Sequence, residues 1–316
     1  MKKEFFVLFG IIVVVVVGTL IFLFLNFTSA NAPNGLVVGF SNSTLIPILD
    51  KNDFSIIKEF ENQNKHIYFK LVRRNDGVYL FARDGIAIVT SKGIEFFNVQ
   101  NIVSSGDIED DKLFTVSTIP LAQVCGPTDY NSVISIYSLP KIEKISEITF
   151  NNTFLSAIEA IGNKIFVTSY YNPKVYEIEN GKIVNEFLLN ASYPSRIYSY
   201  KDDIIILTLN SSVFIYNTSS NLLSTFNFGK CEGAKSALVY NNLLYISCFF
   251  ENKTMVIDLN TKTLKDVLNI PGFYISNFSN RIFEVLPRTK QIAVIDPSTN
   301  SIIKLLNFTN FPLVVG

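Results

Sequence analysis

Apolar residues in this chain fall into short runs that alternate with clusters of Asn, Asp, Gly and Ser. Runs such as VYLF, LFTV, IFVT, IIIL, LLYI and IFEV are rich in β-branched and aromatic side chains, which suit a pleated, buried surface. Each follows a polar turn: RRNDG (73–77), EDDK (109–112), GNK (162–164), KDD (201–203), NN (241–242) or SNR (279–281). Asn, Asp and Gly tolerate the positive φ of tight hairpins, so each turn predicts a hairpin. No segment outside 5–25 carries the 3.6-residue period of an amphipathic helix, which excludes a helical solenoid. The pattern predicts an all-β chain.

The strands recur at a fixed spacing. VIDLNTKTLKDVL (256–268) and VIDPSTNSIIKLL (294–306) align without a gap at Val256/Val294, Asp258/Asp296, Thr261/Thr299 and Leu264/Ile302. Looser copies read LIPILD-KND-FSII (45–57), GIAIVT-SKG-IEFF (85–97), VISIYS-LPK-IEKI (133–145), KVYEIE-NGK-IVNEF (174–187) and SVFIYN-TSSN-LLSTF (212–226). The residues that open the turns are Asp50, Thr90, Ser138, Glu179, Asn217, Asp258 and Asp296, spaced by 40, 48, 41, 38, 41 and 38. Seven copies near 40 residues, each with room for four strands, predict a seven-bladed β-propeller. The first copy lacks an inner strand, because LVVGF (36–40) enters at the second-strand position. FPLVVG (311–316) supplies the missing strand, so the domain over 36–316 is expected to close on itself and to hide its sheet edge.

FFVLFGIIVVVVVGTLIFLFL (5–25) runs for 21 residues without a charge, enough for a transmembrane helix. Lys2 and Lys3 precede it and no Lys or Arg follows until Lys51, so residues 1–4 are expected in the cytoplasm and the propeller outside. A cleaved signal peptide is the rival, with Ala30-Asn31-Ala32 as its site. The linker 26–35 reaches at most about 35 Å, which would hold the propeller close to the membrane.

MVIDLNTKTLKDV and IAVIDPSTNSIIKLL resemble YVTN-type propeller repeats, and LYISCF (244–249) and IFVTSYY (165–171) carry the motif loosely. The resemblance is close in blades 6 and 7 and structural in blades 1 to 5. It implies a surface protein of the kind found in many archaea and bacteria, and it implies location more than activity.

Composition narrows the chemistry. Net charge is zero and charged residues are 17%, so no field favours nucleic acid. One histidine, His66, and three cysteines without CxxC spacing give no zinc site. His66 is expected to be a solvated strand-end residue, and Asp107, Glu109, Asp110 and Asp111 a solvated acidic turn. The inner strands IYFKLV, IVSSGD, FLSAIEA, RIYSY, SALVY and FYISNF offer almost no carboxylate beyond Glu159, and no tryptophan is present to dock quinoprotein blades. No catalytic, metal or cofactor residue is therefore assigned, and no cofactor is expected.

The N-x-[ST] sequons Asn26, Asn42, Asn151, Asn190, Asn210, Asn217, Asn252, Asn277 and Asn307 are candidate glycosylation sites. Asn42, Asn151, Asn190, Asn210, Asn252 and Asn307 map to the face away from the membrane, and Asn217 and Asn277 to the near face. Cys231 and Cys248 also map to the far face, where an exported chain permits a disulfide; two buried thiols are the alternative. The long loop PLAQVCGPTDYN (120–131) holds no sequon, and its Leu121, Val124, Cys125, Gly126 and Pro127 form a candidate partner-binding element. The expected function is a non-catalytic, membrane-anchored extracellular scaffold that engages a protein partner at the cell surface or in a membrane complex. The alternatives are an exported lactonase- or glycosidase-like hydrolase and an accessory subunit of a membrane redox complex.

Overall fold

The computed structural model describes residues 31–316 except 63, 122–125, 127 and 192, and of Glu232 the backbone only. The proposed membrane span 5–25, Asn26, Val124, Cys125 and Pro127 lie outside these residues. Among the described residues no helix is long and apolar enough to cross a membrane.

Seven antiparallel sheets of four strands form the domain, as the repeat count expects. We label the strands A to D within each blade, from the central channel outwards. In six blades A to D follow chain order. In blade 1 the order is Phe311–Val315, Leu36–Ser41, Leu45–Leu49, Ile56–Glu61, so the chain's last strand is the innermost. Val38 faces Val315 and Ser41 faces Phe311 in that closing pair, and Val37 and Gly316 exchange both backbone hydrogen bonds.

The alternation of the strand explains the core. In blade 1, Leu36 and Val38 point to one neighbouring blade while Val37 points to the other. Seven separate apolar clusters result, each filling one gap between adjacent blades. B and C strands such as Val78–Ala82 and Gly85–Val89 are buried on both sides, which is why they read as unbroken apolar runs. D strands such as Lys182–Leu188 are exposed along most of their length. Close approach matters at Gly106, where a Cβ would lie 2.3 Å from the Phe81 ring of the preceding blade.

The recurring turn residue has a physical role. Asp50, Asp258 and Asp296 each accept the backbone N–H two residues on, at 2.7, 2.8 and 2.8 Å. The Thr90 hydroxyl and the Asn217 carbonyl cap their own turns in the same way. These are Asx- and ST-turns that fix the C–D hairpin, and they account for the DxxT signature. The backbone N–H of Thr261, helped by that of Asn260, holds the Asp258 carboxyl below its ordinary range.

Three expectations need correction. His66 is buried at 2% exposure: its Nδ1 lies 2.8 Å from Asp84 Oδ2 and its ring stacks on Phe96 at 3.8 Å. His66 precedes the inner strand of blade 2, and its contact with Phe96 on that blade's D strand, Ile94–Asn98, is one the local sequence does not announce. Asp107 is not part of a solvated turn, because it lies on the buried stretch of the blade 3 inner strand, Ile102–Glu109. Cys231, which a position between blades 5 and 6 would put in a D–A loop, instead belongs to the lengthened D strand Leu222–Glu232 of blade 5.

Candidate functional site

Two regions carry the chemistry of the described residues. The first is the central channel, a cavity of about 600 Å³ lined by the inner strands. An inner strand has a partner on one side only, so its free edge turns backbone N–H groups towards the channel. Side chains of neighbouring blades cap them. Ser105 Oγ accepts from Ile158 N at 3.1 Å, Tyr198 Oη from Ala237 N at 2.7 Å, Ser236 Oγ from Ile275 N at 3.3 Å and Tyr274 Oη from Leu71 N at 3.0 Å. Burial pushes the Tyr274 hydroxyl up to about 12, so it stays a neutral partner.

Carboxylates take part in the same stitching. Asp107 Oδ2 accepts from Ala160 N at 2.8 Å, and Glu159 Oε1 accepts from Ser199 N and Oγ at 2.9 and 2.8 Å. Lys70 Nζ bridges the two acids, 2.8 Å from Asp107 Oδ1 and 3.4 Å from Glu159 Oε2. Every carboxylate oxygen of the pair is engaged. Burial, and then the neighbouring Asp107, pushes Glu159 up to about 7 against the pull of Lys70. Burial opposes charge on Lys70 too, but the two acids outweigh it and raise its pKa. The inner strands thus bring a second carboxylate, Asp107, beside Glu159, and the cations Lys70, Arg73, Arg196 and Lys235 stand in or beside the channel.

Arg73 closes the ring electrostatically. Its Nη1 donates to Pro33 O at 2.8 Å, and its Nη2 to Gly35 O at 2.5 Å and Gly316 O at 2.9 Å. One guanidinium thus ties both ends of the domain to blade 2. Burial lowers its pKa to about 10, which leaves it charged at neutral pH.

The second region is the face formed by the B–C and D–A loops. Residues 31–35 enter on the opposite, hairpin face, where Ala32 N donates to Asn75 O and Ser91 N to Asn31 O. On the loop face, Tyr130, Phe154, Tyr170, Tyr171 and Tyr193 form a chain of ring contacts across blades 3 to 5. Tyr130 stacks on Tyr171 at 6.3 Å and 21°, and meets Phe154 edge-on at 5.1 Å. Tyr170 meets Tyr171 at 5.1 Å and Tyr193 at 5.2 Å. Tyr171 and Tyr193 are each 41% exposed and Leu121, at the root of the long loop, 52%. Tyr193 takes a positive φ of 58°, a conformation costly for a bulky residue. Burial, then the neighbouring Tyr171 and Tyr193, pushes the Tyr170 hydroxyl up.

Of the other sequence candidates, Asn42, Asn151, Asn190, Asn210, Asn252 and Asn307 are exposed on the loop face. Asn277 is exposed at the hairpin end of the channel, and Asn217 is half-buried with its amide donating to Asp203 at 2.8 Å. Cys231 and Cys248 are bonded, with Cα atoms 5.1 Å apart. Gly126 N donates to Asp129 Oδ2 at 2.7 Å, which makes a local turn in the long loop. Among the described residues no group of three His, Cys, Asp or Glu is placed to hold a metal.

Comparison with known proteins places the fold and little more. No family model matches the chain. A BTB/POZ-domain and WD-repeat protein of Acanthamoeba polyphaga mimivirus is 26% identical over 183 residues, which span 52% of this chain and 33% of that protein. The chain therefore matches about a third of that relative's length. Among solved structures, the computationally designed Ika8 protein superposes with a TM-score of 0.64 at 10% identity, over 89% of this chain and 86% of that one. Apo AztD from Citrobacter koseri gives 0.60 at 10% identity, over 89% and 96%. The dihydro-heme d1 dehydrogenase NirN in complex with DHE gives 0.63 at 14% identity, over 87% and 64%. These define the class as β-propeller. The finer resemblance to YVTN repeats rests on the blade 6 and 7 motifs alone.

Proposed function

We propose that this chain is a non-catalytic propeller, held at the outer face of a membrane by residues 5–25, that binds a protein partner through its loop face. The observation that carries this reading is the aromatic patch of Tyr130, Phe154, Tyr170, Tyr171 and Tyr193, with exposed Leu121 beside it. Tyrosine is enriched where proteins bind, because it offers a large, stiff apolar face with a polar tip. The patch lies opposite the face on which residues 31–35 arrive, so a tether would leave it free. Exposed sequons on the same face suit an exported surface, with blade 3's loop left bare as the point of access. Anchoring, export and glycosylation are parts of the proposal.

The exported-hydrolase alternative gains a carboxylate pair, Asp107 and Glu159, but their oxygens are all taken by Lys70 and by backbone or Ser199 donors. A general acid or base needs an oxygen within reach of substrate, so the binding reading is the stronger. The test is co-purification of the detergent-solubilised full chain with its partner, comparing wild type with Tyr171→Ala/Tyr193→Ala. Loss of the partner by a normally folded variant is expected. A partner retained in full overturns the assignment of this face.

A further inference from the structure

The channel wall of blades 5 and 6 differs from the rest. Lys70 and Arg73 spend their charge on Asp107, Glu159 and three backbone carbonyls. Arg196 and Lys235, on adjacent inner strands, have no carboxylate partner among the described residues. Arg196 Nε donates to the Lys235 carbonyl at 2.8 Å and Nη1 to Ser195 O at 2.7 Å, which fixes the guanidinium beside the lysine. Its Nη2 is left without a protein acceptor among the described residues.

Strand irregularities aim these groups. The A–B pairing slips by one residue at Phe69, Ser104, Ser156, Ser195 and Lys235 in blades 2 to 6. A bulge of this kind re-aims a side chain and bends the strand. In blade 6 the bulged residue is the lysine itself, and in blade 5 Arg196 follows the bulge. The backbone is also less satisfied here: blade 4 has Ala157 where Ser105 and Ser236 cap the next strand, so Ile197 N–H has no side-chain cap among the described residues. Two cations and a spare donor therefore meet at one wall. Burial, then repulsion from Arg196, lowers the Lys235 pKa, as expected of cations without a counter-ion. In the same cavity stand half-buried Phe69 and Leu71 of blade 2, Phe278 of blade 7 and, on the lysine's own strand, Leu238, an apolar surface that an inorganic anion would not use.

We propose that Arg196 and Lys235 bind the carboxylate of a small organic acid whose apolar body lies against Phe69, Leu71, Leu238 and Phe278. A cavity of about 600 Å³ is in the range of small-molecule sites, and a guanidinium fork matches a carboxylate. This site is separate from the loop-face patch and stands or falls independently of it.

The test is calorimetric titration of the detergent-solubilised full chain with benzoate, benzamide and inorganic phosphate. Saturable binding of benzoate is expected, with benzamide and phosphate at least roughly tenfold weaker, since a charge-assisted hydrogen bond contributes about 1.5–3 kcal/mol. Arg196→Gln and Lys235→Gln should each weaken benzoate by a similar factor. Arg196→Gln also removes a hydrogen bond to Lys235 O; the Lys235 side chain has, among the described residues, a ring contact with Phe250 at 5.4 Å and no hydrogen bond, so Lys235→Gln is the cleaner variant. No benzoate binding by wild type, equal binding of benzamide, tighter binding of phosphate, or undiminished binding by Lys235→Gln would overturn the proposal.

Discussion

Glu284 should make this propeller less stable as pH rises, and Glu284→Gln should remove that loss. The side chain lies on the B strand of blade 7, Arg281–Leu286, and is fully buried. Its Oε1 accepts from the Ser247 hydroxyl at 2.7 Å and from the Thr254 hydroxyl, while Oε2 has no partner among the described residues. No cation faces it. Burial raises its pKa from 4.5 to about 7, although Thr254 and Ser247 pull the other way. Between those two values the folded protein keeps a proton that the unfolded chain has released. Stability from this site is thus complete below pH 4.5, falls as pH rises and levels off above pH 7. The interval corresponds to about 3 kcal/mol. For a domain of about 280 residues that is about 5 °C in Tm. Glutamine keeps the shape and carries no proton to lose. The melting temperature of Glu284→Gln relative to wild type should therefore climb by about 5 °C between pH 4 and pH 8. Glu159 titrates in both proteins and cancels from the difference. Parallel pH profiles for the two proteins would refute the reasoning, since they would mean that Glu284 is hydrated or paired.

Other consequences are as direct. Deleting 311–316 removes the inner strand of blade 1 and one of the three acceptors of Arg73, and should lower Tm for the whole domain rather than fray one end. Lys70→Met leaves Asp107 and Glu159 without their shared cation; a cost of about 3–5 kcal/mol is expected at pH 8 and less at pH 5, where Glu159 can take a proton, as paired denaturation curves would show. Cys231→Ser/Cys248→Ser opens a crosslink spanning 17 residues and should cost about 3 kcal/mol, read as a lower Tm that matches reduced wild type. Gly272→Ala would set a Cβ 1.5 Å from Glu284 Oε1, so it should destabilise by about 1–3 kcal/mol and less so when combined with Glu284→Ala.

Blade count and closure were legible because they are local or periodic. Asp258 and Asp296 cap turns of fixed length, and the apolar B and C strands advertise burial on both sides. The channel was not legible. Lys70 meets Asp107 37 residues away and Glu159 89 residues away, in blades whose inner strands share no motif. Read singly, those strands show only one or two isolated charges each, and the charges converge only once the ring closes. His66 misled for a related reason: burial came from Phe96 and Asp84, supplied by other strands and turns of its blade. The bulges at Ser195 and Lys235 leave no sequence signal, since serine and lysine are at home in regular strands too. The tyrosines of the loop face were visible in SYY (169–171) and at Tyr193, but their meeting with Tyr130 needed the blade geometry.

The loop face as the place of partner binding is tested most directly by photo-crosslinking in intact cells, with a photoreactive phenylalanine at position 193 or at position 217. Position 193 lies in the aromatic patch, and 217 in a C–D turn on the opposite face. A discrete protein adduct from 193, absent from 217, is the predicted result. An adduct from 217 with none from 193 would contradict the account.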